Sequence, residues 1–423
     1  MTAADACPGL LDLHAARDGY VARIRLPGGY ASGGRLRALA ALASQLGSGC
    51  VDLTARGNVQ LRGVRADDAG ELARRAAAAG LLPSPAHDKA RNIAASPLAG
   101  LTGHADLRRL VQALDRALLA DPGLAALPGR FLFCLDDGTG RAGLSGCDVG
   151  LRCGARGADL IVAGRETGLH GPPARMVGQA VAAARAFLLQ REPVSGVARV
   201  SGLSDGGAAI AAALGGTLGD RAADTVTRLP LGPVPDASPA TAARPATAAQ
   251  TATAAQTATA LAAGPALAAA VVAAPLARLT APQLALLGRM VRPGEAARLA
   301  AAGRIVLPLA ESAEAALARL ADAGLLVSDD HGLAAVTACS GMSCTRSLAD
   351  VRSLARRVPG LAAVHWAGCS RTCGLPADAD AVVALSADQF TLADGQALPR
   401  LADGIPASDI LTAGVLAAAA GRE

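Results

Sequence analysis

The feature that most narrows the possible folds is an echo between the two halves of the chain. "ELARRAAAAGLLPS" (71–84) carries a helical run that stops at Gly80, and "AALARLADAGLLVS" (315–328) carries one that stops at Gly324. A short β-like run precedes each, "VQLRGV" (59–64) and "RIVLPL" (304–309), and a small-residue segment follows each, "RNIAASPLAG" and "VTACSGMSC". A repeated strand–helix unit points to internal duplication. Upstream in the first copy, "YVARIRLPGG" (20–29) alternates as a strand and ends in a Pro-Gly-Gly turn. "RLRALAALASQLG" (35–47) has apolar residues at helical spacing, and "CVDLTARGNVQLRGV" (50–64) reads as two strands around an Arg-Gly-Asn turn. Strand, helix, strand, helix predicts α+β units, each a small sheet with helices on one face.

Between the copies, "PVPDASPATAARPATAAQTATAAQTATALA" (233–262) is rich in Pro, Ala and Thr, repeats "TAAQTA" and offers almost nothing apolar to a core. It reads as a flexible linker. At 423 residues the chain has room for two or three domains. Aromatic residues are 2% of it, so its core must be packed from small aliphatic side chains. Of 40 basic residues only Lys89 is lysine, an excess of arginine that reads first as coding bias. A net charge of +5 is mild, and no basic run is interleaved with aromatics, so nucleic acid is not an expected partner. The first twenty residues have no basic stretch followed by an apolar one, which gives no reading as a secretory leader. Residues 260–277 are uncharged but mostly alanine, with an internal Gly-Pro, a poor bilayer span. The expectation is a cytoplasmic protein with no membrane partner.

Four of the nine cysteines fall in "ACSGMSCTRSLADVRSLARRVPGLAAVHWAGCSRTCG" (338–374). Cys339 and Cys344 are separated by four residues, Cys369 and Cys373 by three. "SLADVRSLARRV" (347–358) puts Leu348, Val351, Leu354 or Ala355, and Val358 on one helical face, and "LAAVHWAG" (361–368) returns as a strand. Loop, helix, strand, loop brings both cysteine pairs to one end of a βα layer and sets Cys344 near a helix N-terminus, where a thiolate is favoured. In a reducing compartment such a set suits zinc, an iron–sulfur cluster or redox-active thiols. Zinc prefers two-residue gaps, whereas wider gaps beside Gly341, Gly368 and Gly374 suit a larger cluster. Cys7, Cys50 and Cys134 read as isolated, small, buried residues. Cys147, Cys153 and His170 fit no strong metal pattern. His365 and Trp366 read as packing residues, the histidine also placed to tune a neighbouring centre. "LDDGTGRAG" (135–143) is turn chemistry.

"TACSG" and "SLADVR" followed by "VHWAGCSRTCG", with "IRLPGG" and "LTARGNVQLRG" in the first half, resemble the sulfite/nitrite reductase superfamily. "ACPGLL", "LPGRFLFCLDDG" (127–138) and "VTAC" before "SLADVR" resemble its precorrin-3B synthase branch. The resemblance spans nearly the whole chain except the linker. It implies an α+β fold of two pseudo-symmetric ferredoxin-like half-domains plus mixed-sheet cluster- and tetrapyrrole-binding domains. The implied layout is half-domain 1 (1–84), a tetrapyrrole-binding domain (85–232), the linker (233–272), half-domain 2 (273–330) and a cluster domain (331–423).

The resemblance further implies that Cys339, Cys344, Cys369 and Cys373 hold a [4Fe–4S] cluster. In the reductases the last of these, here Cys373, also bridges to a sirohaem iron. The first gap in the superfamily is usually one residue longer than here. Arg25 and Arg91 match positions lining the reductases' anion site. Arg130 falls where the first of two lysines is usual, and Leu132 replaces the second. Those three arginines are the candidate catalytic residues. Thr54, Arg56, Asn58, Gln60 and Arg62 match the strand facing the tetrapyrrole, and their alternation puts all five on one strand face. Arginines there suit a macrocycle's carboxylates through forked hydrogen bonds. The implied activity is O₂-dependent hydroxylation of the corrin precursor precorrin-3A, with lactone formation. Electrons would come from NADH through a partner reductase, since no dinucleotide-binding signature is present, and a mononuclear iron is an implied further centre. The alternatives are a sirohaem-dependent sulfite or nitrite reductase and, from another class, a non-catalytic tetrapyrrole or cluster carrier.

Overall fold

The computed structural model describes residues 7–191, 196–225, 228–234, 269–357 and 363–392. Most of the expected linker therefore lies outside the described residues. The described residues form two compact units, one built on residues 7–92, 228–233, 269–357 and 363–392, the other on residues 93–191 and 196–225.

The larger unit opens with β1 (His14–Ala16), β2 (Gly19–Ile24), β3 (Tyr30–Ser32), α1 (Gly33–Leu46), β4 (Cys50–Leu53), β5 (Val59–Val64) and α2 (Ala69–Ala78). Strand alternation decides what each strand buries. Ala22, Ile24, Val59 and Leu61 enter the core, while Arg23, paired with Gln60 across the ladder, takes the opposite face. Helix α1 buries Leu36, Leu39, Ala40 and Ala43 at helical spacing, and its N-cap Ser32 side chain accepts from Arg35 N at 3.3 Å. Gly80, in the left-handed region at φ 66°, ends the second helical run. Residues 85–92, drawn from sequence into the next domain, stay with this half, where Arg25 Nη1 donates to Asp88 O at 3.1 Å.

The smaller unit contains β6 (Ile93–Ala95), α3 (Arg108–Leu119), β7 (Phe133–Asp136), β8 (Val149–Gly154), β9 (Gly157–Val162), β10 (Arg165–Gly171), α4 (Pro173–Gln190) and α5 (Ala208–Ala213). Its five strands form one sheet in the order β10-β9-β8-β7-β6, parallel from β6 to β8 and antiparallel beyond.

Back in the larger unit come β11 (Gly232–Pro233), β12 (Ala269–Ala273), β13 (Arg278–Thr280), α6 (Ala281–Met290), β14 (Ala296–Leu299), β15 (Arg304–Pro308) and α7 (Ala313–Asp322). Strand β12 claims residues 269–272, which the expected domain layout gave to the linker. This second set repeats the first, element for element, as the expected pseudo-symmetric halves require. The sheets run β1-β2-β5-β4-β13 and β11-β12-β15-β14-β3, so each half lends its short third strand to the other's sheet. β13 pairs with β4 (Thr280 opposite Cys50) and β3 with β14 (Ser32 opposite Ala296). Thr280 and Gln283 form a capping box that starts α6. Helices α1 and α6 meet backbone to backbone: a Cβ on Gly33 would lie 2.5 Å from Gly288 O, and one on Gly288 would lie 2.8 Å from Gly33 O.

The unit closes with β16 (Val336–Ala338), α8 (Val351–Arg357), β17 (Val364–Ala367), β18 (Asp380–Ala384) and β19 (Phe390–Leu392) in one four-stranded sheet. β16, β17 and β18 are parallel, and Trp366 is buried edge-on against Phe390 with centroids 6.1 Å apart. Among the described residues no helix is long and apolar enough to cross a membrane.

Candidate functional site

Cys339 follows β16 and Cys369 follows its parallel neighbour β17, so both cysteine loops leave the same end of the sheet. The first loop turns back on itself where Cys344 N donates to Gly341 O at 2.8 Å. Cys339 Sγ accepts from Gly341 N at 3.4 Å and from Gly368 N at 3.2 Å. Position 368 has no room for a side chain, because any Cβ there would run into Ser347. The two loops are thus packed backbone against side chain.

All four cysteines line one cavity of about 250 Å³, together with Val21, Arg23, Gln60 and Arg62 from the first half's sheet. The Cys373 thiol is raised above its ordinary range by desolvation first, then by the neighbouring sulfurs of Cys369, Cys339 and Cys344. Among the described residues no three His, Cys, Asp or Glu side chains close on a point that one ion could occupy. The sulfurs ring a space instead. Four free thiols around such a space, with two backbone N–H groups already donating to one sulfur, fit the donor set of an iron–sulfur cluster. Two details differ from the sequence reading. Helix α8 begins only at Val351, leaving Leu348 exposed and Cys344 well before the helix N-terminus. Cys7, expected to be isolated, lines the same cavity.

The five polar residues expected on one strand face take distinct places. Thr54 Oγ1 accepts from Asn58 N at 3.0 Å, stabilising the β4–β5 turn. Asn58 is buried, its Oδ1 accepting from Leu26 N and its Nδ2 donating to Asn92 Oδ1, both at 3.0 Å. Arg56 is half-buried and does not line the cavity. Gln60 and Arg62 do line it. Arg62 is also tied into the frame: Nε and Nη2 fork onto Asp18 at 3.0 Å each, Nη1 donates to Ser340 Oγ at 3.0 Å, and Nη2 to Ser343 O at 2.8 Å.

Behind Arg62 lies Asp52, buried, accepting from Arg278 Nε at 2.6 Å and Nη2 at 3.1 Å, and from Ser340 Oγ at 3.2 Å. Burial raises the Asp52 pKa, but the Arg278 hydrogen bonds and the Arg278, Arg352 and Arg62 charges outweigh it and hold the carboxyl below its usual range. Arg352 reaches under the first loop, Nη1 donating to Cys339 O at 3.1 Å; burial and then Arg278 bring it down to about 10, still a cation at neutral pH. His365 is buried with Nδ1 2.9 Å from Thr337 Oγ1. Burial brings it down to about 4, opposed by the Cys373 backbone and aided by the Arg352 charge, so it is a neutral imidazole beside the second loop.

Arg25 and Arg91 are buried in the larger unit and are not among the residues lining the cavity. Arg130 is exposed on the smaller unit, where Leu132 packs in an apolar cluster with Cys134, Leu144, Cys147 and Ile161. Cys147, Cys153 and His170 do not come together. Cys147 shares a thiol hydrogen bond with Cys134, both cysteines being free, Cys153 is pushed up to about 12 by burial and then by Asp136, Asp137 and Asp159, and His170 Nδ1 meets Asp159 Oδ1 at 2.7 Å. Asp136 organises the following turn as expected, accepting from Gly138, Gly140 and Ala142 N. Sequence reasoning missed Arg23 and Arg17. Arg23 was readable from strand parity once β2 was paired with β5, whereas nothing local marks Arg17.

Comparison with known proteins bears on the first half-domain and on the fold. Residues 14–79 match the model of the nitrite/sulfite reductase ferredoxin-like half domain. The first half-domain of this chain is thus similar to that of nitrite and sulfite reductases. A ferredoxin–nitrite reductase from Leptolyngbya laminosa is 34% identical over 120 residues, 26% of this chain and 24% of that protein. One from Synechococcus elongatus is 35% identical over 127 residues, 28% of this chain and 25% of that protein. The aligned part is thus about a quarter of the length of these curated relatives. The structure of Mycobacterium tuberculosis NirA superposes with a TM-score of 0.66 at 20% identity, covering 92% of this chain and 78% of that one, which is a likeness of fold.

Proposed function

We propose that this chain is an oxidoreductase in which Cys339, Cys344, Cys369 and Cys373 hold a [4Fe–4S] cluster against a bound tetrapyrrole. The observation that carries the reading is the convergence of four thiols on one cavity faced by Arg23 and Arg62. When bound, such a cluster supplies electrons one at a time. The chain's own residues hold and orient. Gly341 and Gly368 N–H groups stabilise the Cys339 thiolate, and neutral His365 adds no charge beside Cys373. Arg23 brings a cation to the sheet face, which suits a macrocycle's carboxylates, while Arg62 is committed to Asp18 and the first cysteine loop.

The named relatives support a sirohaem-dependent nitrite or sulfite reductase fed by a small electron carrier such as ferredoxin. A second reading is favoured by position 132. A leucine packed in an apolar cluster supplies no cation for a small anion, and this suits a precorrin-3B synthase-like monooxygenase. There the tetrapyrrole is substrate, O₂ the oxidant and NADH the electron source through a partner. Domain limits follow the layout given from sequence, with the first half-domain extended to residue 92 and the second begun at β12. Anaerobic purification with an absorption spectrum tests the proposal. Iron–sulfur absorption that disappears in Cys369→Ala and Cys373→Ala is expected, and unchanged iron in both variants would remove the cluster. Sirohaem bands with nitrite or sulfite reduction select the reductase. A haem-free cluster protein consuming precorrin-3A only with O₂ selects the monooxygenase.

A further inference from the structure

The first cysteine loop is gripped from outside itself. Arg17 N donates to Ser343 O at 3.1 Å, and Arg17 Nη2 donates to Thr345 O at 3.4 Å and Ser347 O at 3.2 Å. Arg62 adds Ser340 Oγ and Ser343 O, and its own orientation is fixed by the two-pronged contact with Asp18. From below, Arg352 takes Cys339 O, and Asp52 joins Ser340 to Arg278. Three guanidinium groups thus take one hydroxyl and four carbonyls between Cys339 and Ser347. Arg62 is a guanidinium with a side chain only 4% exposed, and Asp18 offsets its charge. This arrangement fixes the loop's backbone independently of any group bound in the cavity.

We infer that Arg62, with Arg17, is a positioning residue that presets the Cys339–Cys344 loop for its cluster. The inference rests on the cluster assignment proposed above. It supplies a physical reason why a loop with four residues between its cysteines can still present both thiols: the first half's sheet holds it in place. The second cysteine loop is anchored otherwise, through Leu348 N donating to Gly368 O at 2.8 Å and the packing of Ser347 on Gly368.

The test uses the full chain purified anaerobically, as wild type, Arg62→Gln, Arg62→Lys and Arg17→Gln, with exposed Arg65→Gln as control. Iron release to a ferrous chelator is followed, together with the electron paramagnetic resonance spectrum of the reduced protein. Residues supporting metal ligands typically change metal retention about 10- to 100-fold. Arg62→Gln is expected to release iron about 10-fold faster and to broaden the resonance. Arg62→Lys, which keeps the charge but loses the fork, should fall between it and wild type. Arg17→Gln should shift the same way by less, and it serves as the test if Arg62→Gln does not fold. Release rates and spectra equal to wild type in both glutamine variants would overturn the inference. If wild type carries no cluster, the functional reading fails separately. The clamp is then judged by alkylation of Cys344 in the iron-free chain: several-fold faster labelling in Arg62→Gln sustains it, and equal labelling overturns it.

Discussion

The two half-domains share one backbone and differ in what it carries. With the turns aligned on Gly57 and Gly303, Thr54, Arg56, Asn58, Gln60 and Arg62 face Ala300, Ala302, Arg304, Val306 and Pro308. Strand β15 is buried on both faces, whereas β5 leaves Gln60 half-buried at the cavity. The exchanged strands differ too. Where β13 meets β4, Arg278 pairs with Asp52. At the matching contact between β3 and β14, Arg298 lies over the Tyr30 ring at 5.7 Å. The left-handed positions just before the exchanged edge strands are Gly28 and Gly29 in one half but Leu276 and Ala277 in the other. Duplication has thus separated two tasks: one copy keeps a polar face for the site, and the other has become packing.

The sharpest way to break this contrast is at the exchanged strands. Arg278→Ala leaves Asp52 buried beside fewer cations and should destabilise the chain by about 3–5 kcal/mol in urea titration. Tyr30→Ala, at the mirror position, should lose clearly less, since a cation–π contact contributes about 0.5–2 kcal/mol. Equal losses would erase the difference between halves. The next effect is in pH. Asp52 has its folded pKa below the unfolded value of 3.8, so its contribution is present above that value and lost as pH falls below it through the folded pKa. Asp52→Asn should therefore flatten stability against pH below about 4, measured by denaturation at several pH values; Arg298, its counterpart, brings no such dependence. The smallest effect concerns Ala302, at φ 55°. Ala302→Gly relieves the left-handed strain of about 1 kcal/mol, partly offset by glycine's greater unfolded freedom, so a rise in stability below about 1 kcal/mol is expected.

How far the sequence foretold this depends on the range of each interaction. The duplication and the Gly80 and Gly324 stops are local patterns, and each is where the pattern put it; of the five polar residues expected on one face, Gln60 and Arg62 line the cavity. The meeting of the cysteine loops followed from loop, helix, strand, loop, because parallel strands send their following loops to one end. Helix α8 was overdrawn because Leu348 has helical spacing but lies in the first cysteine loop's exit, before Val351. The role of Arg62 was not readable: a strand position says which face a guanidinium takes, not whether Asp18 or a ligand receives its fork. Cys134 and Cys147 came together through tertiary packing, as did Cys7 and the cavity. The exchange of β3 and β13 was the least legible feature, since three-residue strands carry no signal of their partner.

That exchange has a consequence for how the protein can be assembled. Neither half-sheet is complete within its own stretch of chain, because residues 30–32 finish the sheet of the second copy and residues 278–280 finish that of the first. Either copy made alone would end in a bare ladder of N–H and C=O groups, an invitation to pair with a neighbour. The ancestral single copy could meet that need by trading strands with a twin molecule; in the fused chain the trade is internal, and its closure waits for the last half to be synthesised.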